Sequence, residues 1–300
     1  ILSSLIVMVV MCGEHFLERS AHGRLPRKAT CYNISTGRVQ GADMSTGMIN
    51  VAGIDLELTE IGSGPPLLML HGAGGFDARQ SVNALLARQR RLICPSHPGF
   101  GKSALPDWLD SVDDIAHVYL ELMDQLGLST VDLIGCSVGG WIAAEMATKS
   151  PERFTKLVFV GPVGVKTGTP DRLDVPDIFA LPAEQLNTLI YRDPKKMVRD
   201  PASLSDDELT IIVRNRETLA LIAWEPYMHN PKLKHRLHRV AAPALFLRGD
   251  SDGLISDEYL HAYARLLPKA RVATISDAGH VPHLEQPEAF AAAALAFLDT

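Results

Sequence analysis

The sequence contains few cysteines, and none in metal-binding order: Cys12, Cys31, Cys94 and Cys136 are irregularly spaced, with no CxxC pair. Zinc modules need paired thiolates and small secreted scaffolds need bridging sets, so both classes are excluded and a reducing compartment is the default. Long apolar runs are also absent. The opening stretch, residues 1–12, falls well short of the roughly 20 apolar residues that span a membrane. It carries no basic residue and leads into no small-x-small cleavage pattern, so a cytoplasmic protein is expected, with export as the alternative if the stretch is a truncated signal. Positive charge is not in excess: 29 Lys and Arg against 35 Asp and Glu leave a formal charge of -6. Nothing in that balance favours nucleic acid or an anionic membrane surface as a partner. Internal repeats and low-complexity tracts are missing as well.

What remains is the composition of a soluble globular protein, 46% hydrophobic and 21% charged over 300 residues, enough to build a large core. Residues 13–43 show no helical or strand periodicity, so residues 1–43 are expected to be a poorly ordered leader. A hairpin is expected over residues 49–61, turning at Ala52-Gly53. Apolar runs then recur at residues 66–70, 91–94, 131–134, 156–160, 244–247 and 271–275. Each has the length of a strand buried on both faces. Helical patterns at 112–126, 138–149, 256–267 and 287–298 fall between or after them. This alternation specifies an α/β fold, a mostly parallel, doubly wound sheet with helices on both sides. Between residues 164 and 240 no buried strand occurs and helical patterns dominate. The expected organisation is therefore a core of residues 44–163 and 241–300 with a helical lid at 164–240.

Three strand ends carry the chemistry. Gly135-Cys136-Ser137-Val138-Gly139 follows a buried strand and opens a helix, the setting a GxSxG nucleophile elbow requires. A serine hydroxyl is a weak nucleophile, so it needs a base and a group that fixes the base's tautomer. Asp252 and His280 follow two later strands, giving the order Ser, Asp, His. His71-Gly72-Ala73-Gly74-Gly75 follows the first buried strand, and the amides of Ala73 and Val138 are the expected pair of oxyanion donors. That segment has neither spacing of a phosphate-binding loop. Asp250, two residues before Asp252, is expected to brace the loop instead. His97, His283 and Cys136 are expected to be structural. Trp224, Tyr227, Tyr191 and Phe179 are expected to pack against the core or line the acyl pocket.

With His97-Pro98-Gly99-Phe100-Gly101-Lys102-Ser103 and the run from Gly279 through Pro287, these motifs occur in an order that resembles the lid-bearing α/β-hydrolases. That subgroup includes carboxylesterases and the carbon-carbon hydrolases of aromatic meta-cleavage pathways. The resemblance implies Ser137, Asp252 and His280 as the catalytic triad, Ala73 and Val138 as the oxyanion hole, and no cofactor or metal. Cys136 departs from the His, Asn or Gln more usual before the nucleophile. The expected activity is hydrolysis of small to medium carboxylic esters. The alternatives are carbon-carbon cleavage of a meta-cleavage ketone, with Arg192, Arg199, Arg214 and Arg216 as candidate carboxylate partners, and a low-turnover ligand-binding homologue. The expected partner is a small-molecule ester or ketone, without nucleic acid or stable membrane insertion, and the sequence specifies no oligomeric state.

Overall fold

The computed structural model describes residues 31–300. Nine strands form one sheet: β1 (Tyr32–Val39), β2 (Ala42–Val51), β3 (Ile54–Ile61), β4 (Pro66–Leu70), β5 (Arg91–Pro95), β6 (Val131–Cys136), β7 (Phe154–Val160), β8 (Ala244–Gly249) and β9 (Ala270–Ile275). Their spatial order is β1-β2-β3-β5-β4-β6-β7-β8-β9. The first three strands and β5 pair antiparallel, and every pairing from β5 through β9 is parallel. Residues of β6 and β8 are buried throughout, as strands covered on both faces must be.

Helices α1 (Ser81–Ala87), α2 (Val112–Gln125), α3 (Val138–Lys149), α7 (Asp257–Ala264), α8 (Pro282–Glu285) and α9 (Pro287–Leu298) follow or separate the core strands. Between β7 and β8 lie α4 (Ala183–Ile190), α5 (Pro194–Met197) and α6 (Asp206–Ala223). Ser205 starts α6 with a complete capping box: its hydroxyl accepts from the Glu208 amide while the Glu208 carboxylate accepts from the Ser205 amide. Two apolar layers flank the sheet. One packs Tyr119, Trp141 and Phe246 beneath α2, α3 and α7, and the other packs Leu86 and Phe290 beneath α1 and α9.

Two expectations need correction. Residues 32–43 are not an unordered leader: they form β1 and the start of β2, although seven of the eight β1 residues are exposed. An edge strand with one neighbour needs little apolar patterning, so its composition resembles that of a loop. Residues 1–30 of the expected leader lie outside the described residues. The second correction is β9, an edge strand buried only at Ile275 rather than on both faces.

Candidate active site

The turn from β6 into α3 presents Ser137 with φ 52° and ψ -114°, a conformation that costs an L-residue roughly 1–3 kcal/mol and persists only where its surroundings enforce it. Those surroundings are two glycines. A Cβ on Gly135 would meet the Gly139 carbonyl oxygen at 2.5 Å, and one on Gly139 would meet the Leu70 carbonyl oxygen at 2.3 Å. Only bare backbone lets β4, β6 and α3 approach so closely, and that approach lifts Ser137 above the carboxyl ends of the strands.

His280 follows β9, and its Nδ1 lies 3.0 Å from Asp252 Oδ2 in the loop after β8. The other carboxylate oxygen of Asp252 accepts from the amides of Leu254 and Ile255, both at 2.9 Å. The aspartate is thus held on three sides. Asp250, exposed, accepts instead from the Asp277 amide at 3.0 Å and the Ala278 amide at 3.4 Å. Those bonds hold its carboxyl below the usual carboxylate range, the Asp277 amide contributing most.

Ser137, Val138, Ala73 and His280 all border one cavity. No hydrogen bond joins Ser137 Oγ to His280 among the described residues. The cavity is narrow, about 20 Å³, and Val163, Val175, Ile178, Leu219, Met228, Leu254 and Ile255 form its apolar walls. Four of those, Val175, Ile178, Leu219 and Met228, lie within residues 164–240 and were not singled out from sequence. Their signal was faint: isolated apolar residues in a polar helical stretch. Of the aromatics expected to pack on the core or line the pocket, Phe179 and Tyr227 pack against the core. Phe179, Trp224 and Tyr227 pack on one another at ring distances of 5.5 to 6.3 Å, and none of them, nor Tyr191, borders the cavity.

Arg192, Arg199, Arg214 and Arg216 are also absent from its walls. Arg199 pairs with Glu208 at 2.8 Å, Arg216 donates to the Ile178 carbonyl at 3.1 Å, and Arg214 donates to the carbonyls of Gly101 and Ser103. Arg192 enters only through its backbone amide, which donates to Glu285. A larger open groove near Trp141, Glu145 and Arg236 contains neither Ser137 nor His280.

Cys136 is buried, and that burial pushes its thiol up to about 12, far from any nucleophilic range. His97 is fully enclosed and bonded. His283 is partly buried with its Nδ1 unpartnered. Among the described residues no cluster of His, Cys, Asp and Glu would hold a metal ion, and no helix is long and apolar enough to cross a membrane.

Comparison with known proteins agrees with this architecture. The chain is 30% identical over 257 residues, 77% of its length and 86% of the relative's, to a 2-hydroxy-6-oxononadienedioate/2-hydroxy-6-oxononatrienedioate hydrolase of Burkholderia vietnamiensis. A 2-hydroxy-6-oxo-2,4-heptadienoate hydrolase of Pseudomonas putida is 36% identical over 133 residues, a match spanning 42% of this chain and 48% of that one. A solved serine hydrolase from Cycloclasticus zankles, a bacterium that degrades polyaromatic hydrocarbons, superposes with a TM-score of 0.71 at 20% identity, over 85% of this chain and 98% of that one. Residues 67–293 match the family described as the alpha/beta hydrolase family. That match takes in β4 through most of α9, and with it every strand end that borders the cavity; the chain belongs to the α/β-hydrolase family.

Proposed function

We propose that the chain hydrolyses carboxylic esters with small to medium apolar acyl groups, through an acyl-enzyme on Ser137. In this reading His280 takes the serine proton as Oγ attacks the carbonyl, and Asp252 steadies the imidazolium through Nδ1. The amides of Ala73 and Val138 meet the oxyanion, the alcohol leaves with the proton from His280, and water activated by the same ring releases the acid. Residues 164–240 serve as the lid, which supplies much of the acyl wall.

The observation that carries the proposal is the cavity lining: among the described residues, Ser137 and His280 are its only side chains with a hydroxyl or ring nitrogen, against apolar walls. An apolar acyl chain gains by burial there, whereas a substrate carboxylate would lose its hydration without a partner. A second reading, carbon-carbon cleavage, is favoured by the names of the two hydrolase relatives. It uses the same triad but asks the site to accept an acidic ketone.

The test is a panel of p-nitrophenyl esters from acetate to palmitate, together with a meta-cleavage product, run on wild type and Ser137→Ala. The expected result is fastest turnover of short and medium esters, and a loss on the order of 10³-fold or more in Ser137→Ala. Wild-type rates in that variant would sink the mechanism. Preferential turnover of the acidic ketone would replace the ester reading with the second one.

A further inference from the structure

Apart from Ser137, His280 and Asp252, a second, buried polar chain lies behind the His71–Gly75 loop. His71 and His97 stack with ring centroids 3.6 Å apart and planes inclined by 29°, and both rings touch Phe100 edges or faces within 5.5 Å. His97, Tyr119 and the His71 side chain are shut off from solvent.

The hydrogen bonds allow one arrangement of protons. The main-chain N–H of His97 donates to His71 Nε2 at 3.0 Å, so that nitrogen carries no proton. A neutral His71 then carries its proton on Nδ1, which donates to the Gly72 carbonyl at 2.7 Å. His97 Nε2 lies 2.8 Å from the His71 carbonyl and donates to it, which leaves its Nδ1 to accept from the Tyr119 hydroxyl at 2.5 Å. Burial pushes His71 down to about 4 and lowers His97 further, with the neighbouring ring adding to the effect. Both rings are therefore neutral at neutral pH, as their stacking requires.

The end of this chain is the peptide unit that joins Gly72 to Ala73. A trans peptide is planar, so its C=O and N–H point in opposite directions. Fixing the Gly72 oxygen therefore fixes the direction of the Ala73 N–H. The same oxygen also accepts the Gly75 amide at 3.1 Å, and the Ala73 N–H makes no hydrogen bond among the described residues. Hydrogen bonds to the carbonyl polarise the unit and strengthen its free donor.

We propose that Tyr119, His97 and His71 form a positioning relay that aims and polarises the Ala73 amide toward the oxyanion. The inference rests on the ester-hydrolase reading and deepens it: none of the three touches substrate, and all act through one peptide plane. The relay explains why two histidines are kept neutral behind the site rather than replaced by apolar residues of similar volume.

The test uses p-nitrophenyl butyrate, with folding of each variant checked by circular dichroism and thermal melts. His71→Leu, which keeps bulk but removes the donor, should lower kcat roughly 100-fold with KM changed less than about twofold, the loss expected for a misplaced oxyanion donor. Its affinity for a trifluoromethyl ketone should fall by the same factor as kcat/KM. His71→Asn places an amide N–H near the position of Nδ1 and should recover kcat to within about tenfold of wild type. Tyr119→Phe, which preserves volume, should fold and lose roughly tenfold in kcat, so a destabilised His71→Leu does not decide the matter. The proposal is overturned if His71→Asn is no better than His71→Leu, or if kcat per folded molecule is unchanged in His71→Leu or Tyr119→Phe. Fluorophosphonate labelling separates the two levels. If wild-type Ser137 takes no label and no ester is cleaved, the ester reading falls and the relay with it. A labelled, active wild type with unaffected variants overturns the relay alone.

Discussion

Asp250 and Asp252 stand two residues apart, and the structure gives them different partners. Asp252 Oδ1 is committed to two backbone donors, so Asp252→Asn must turn its oxygen to Leu254 and Ile255 and its NH₂ to His280. The imidazole then has to accept at Nδ1 and carry its proton on Nε2, where it cannot serve as a base. The expected result is an intact fold with turnover reduced by roughly 10⁴-fold, the loss that the corresponding change causes in serine proteases. Asp250→Asn still has an oxygen for one of its two backbone donors. It should cost about 1 kcal/mol of stability and less than tenfold in turnover. Steady-state kinetics and thermal melts of the two variants check the pair; a tenfold or smaller loss in Asp252→Asn would reverse the assignment. In the sequence these aspartates are separated by family resemblance and turn chemistry rather than by residue type, because both follow the same strand. Ser137 was more legible, since the two glycines around it record a clash that only that turn creates.

At the scale of elements, the end of α4 is fastened directly to the loops that carry Asp252 and His280. The Ile190 carbonyl accepts the His280 amide at 2.7 Å, and the Leu189 carbonyl accepts the Gly253 amide at 3.0 Å. Glu285 spans the same seam: one oxygen takes the Gly279 amide at 2.6 Å and the other takes Arg192 at 2.8 Å and Asp193 at 3.3 Å. Glu285→Ala should therefore raise amide hydrogen exchange at Gly279 and Arg192 together and lower kcat about tenfold, since both sides lose a charged acceptor. Faster exchange on one side only would show that the two are not coupled. At the other end of the insert, Asn215 and Thr218 of α6 bond the Gly74, Gly101 and Gly99 backbone. These contacts were invisible in the sequence because they join residues over a hundred positions apart. β1 was missed for a different reason, having almost no buried face to print a pattern. Deleting residues 1–43 removes β1 and exposes the β2 edge, so the shortened protein should keep its turnover per folded molecule yet self-associate. Size-exclusion chromatography against a chain that starts at Cys31 checks this, and a monomeric truncation would contradict it.

Across the whole molecule, the parallel sheet was legible because strands buried on both faces must be short, continuous and apolar, and β4 through β8 obey that rule. The neutral histidines buried behind the sheet's active end were not, because nothing in a single His reveals whether it will be solvated. They set the acid limit of the fold. An unfolded histidine titrates near 6.5, whereas burial lowers His71 to about 4 and His97 further. A lowered pKa in the folded state means that the unfolded chain binds protons first as pH falls. The stabilising effect is complete above about 6.5 and is lost progressively toward pH 4, at roughly 1.4 kcal/mol per pH unit for each ring. For His71 alone that amounts to about 2 kcal/mol between pH 6.5 and 5, set against the 5–15 kcal/mol typical of a folded domain, and His97 acts in the same direction. Buried Glu145, whose carboxyl is raised by desolvation, works in the opposite direction and offsets part of the loss. His283 acts in the same direction as His71 and His97, burial lowering it to about 3. His283→Leu offers the cleanest check, because its Nδ1 has no partner to lose. The variant should match wild type in unfolding free energy from urea titration at pH 7 and exceed it by about 1 kcal/mol at pH 5. Wild type itself should lose stability steeply over that interval, and a flat profile from pH 7 to 5 would show that the buried rings are charged in the folded chain.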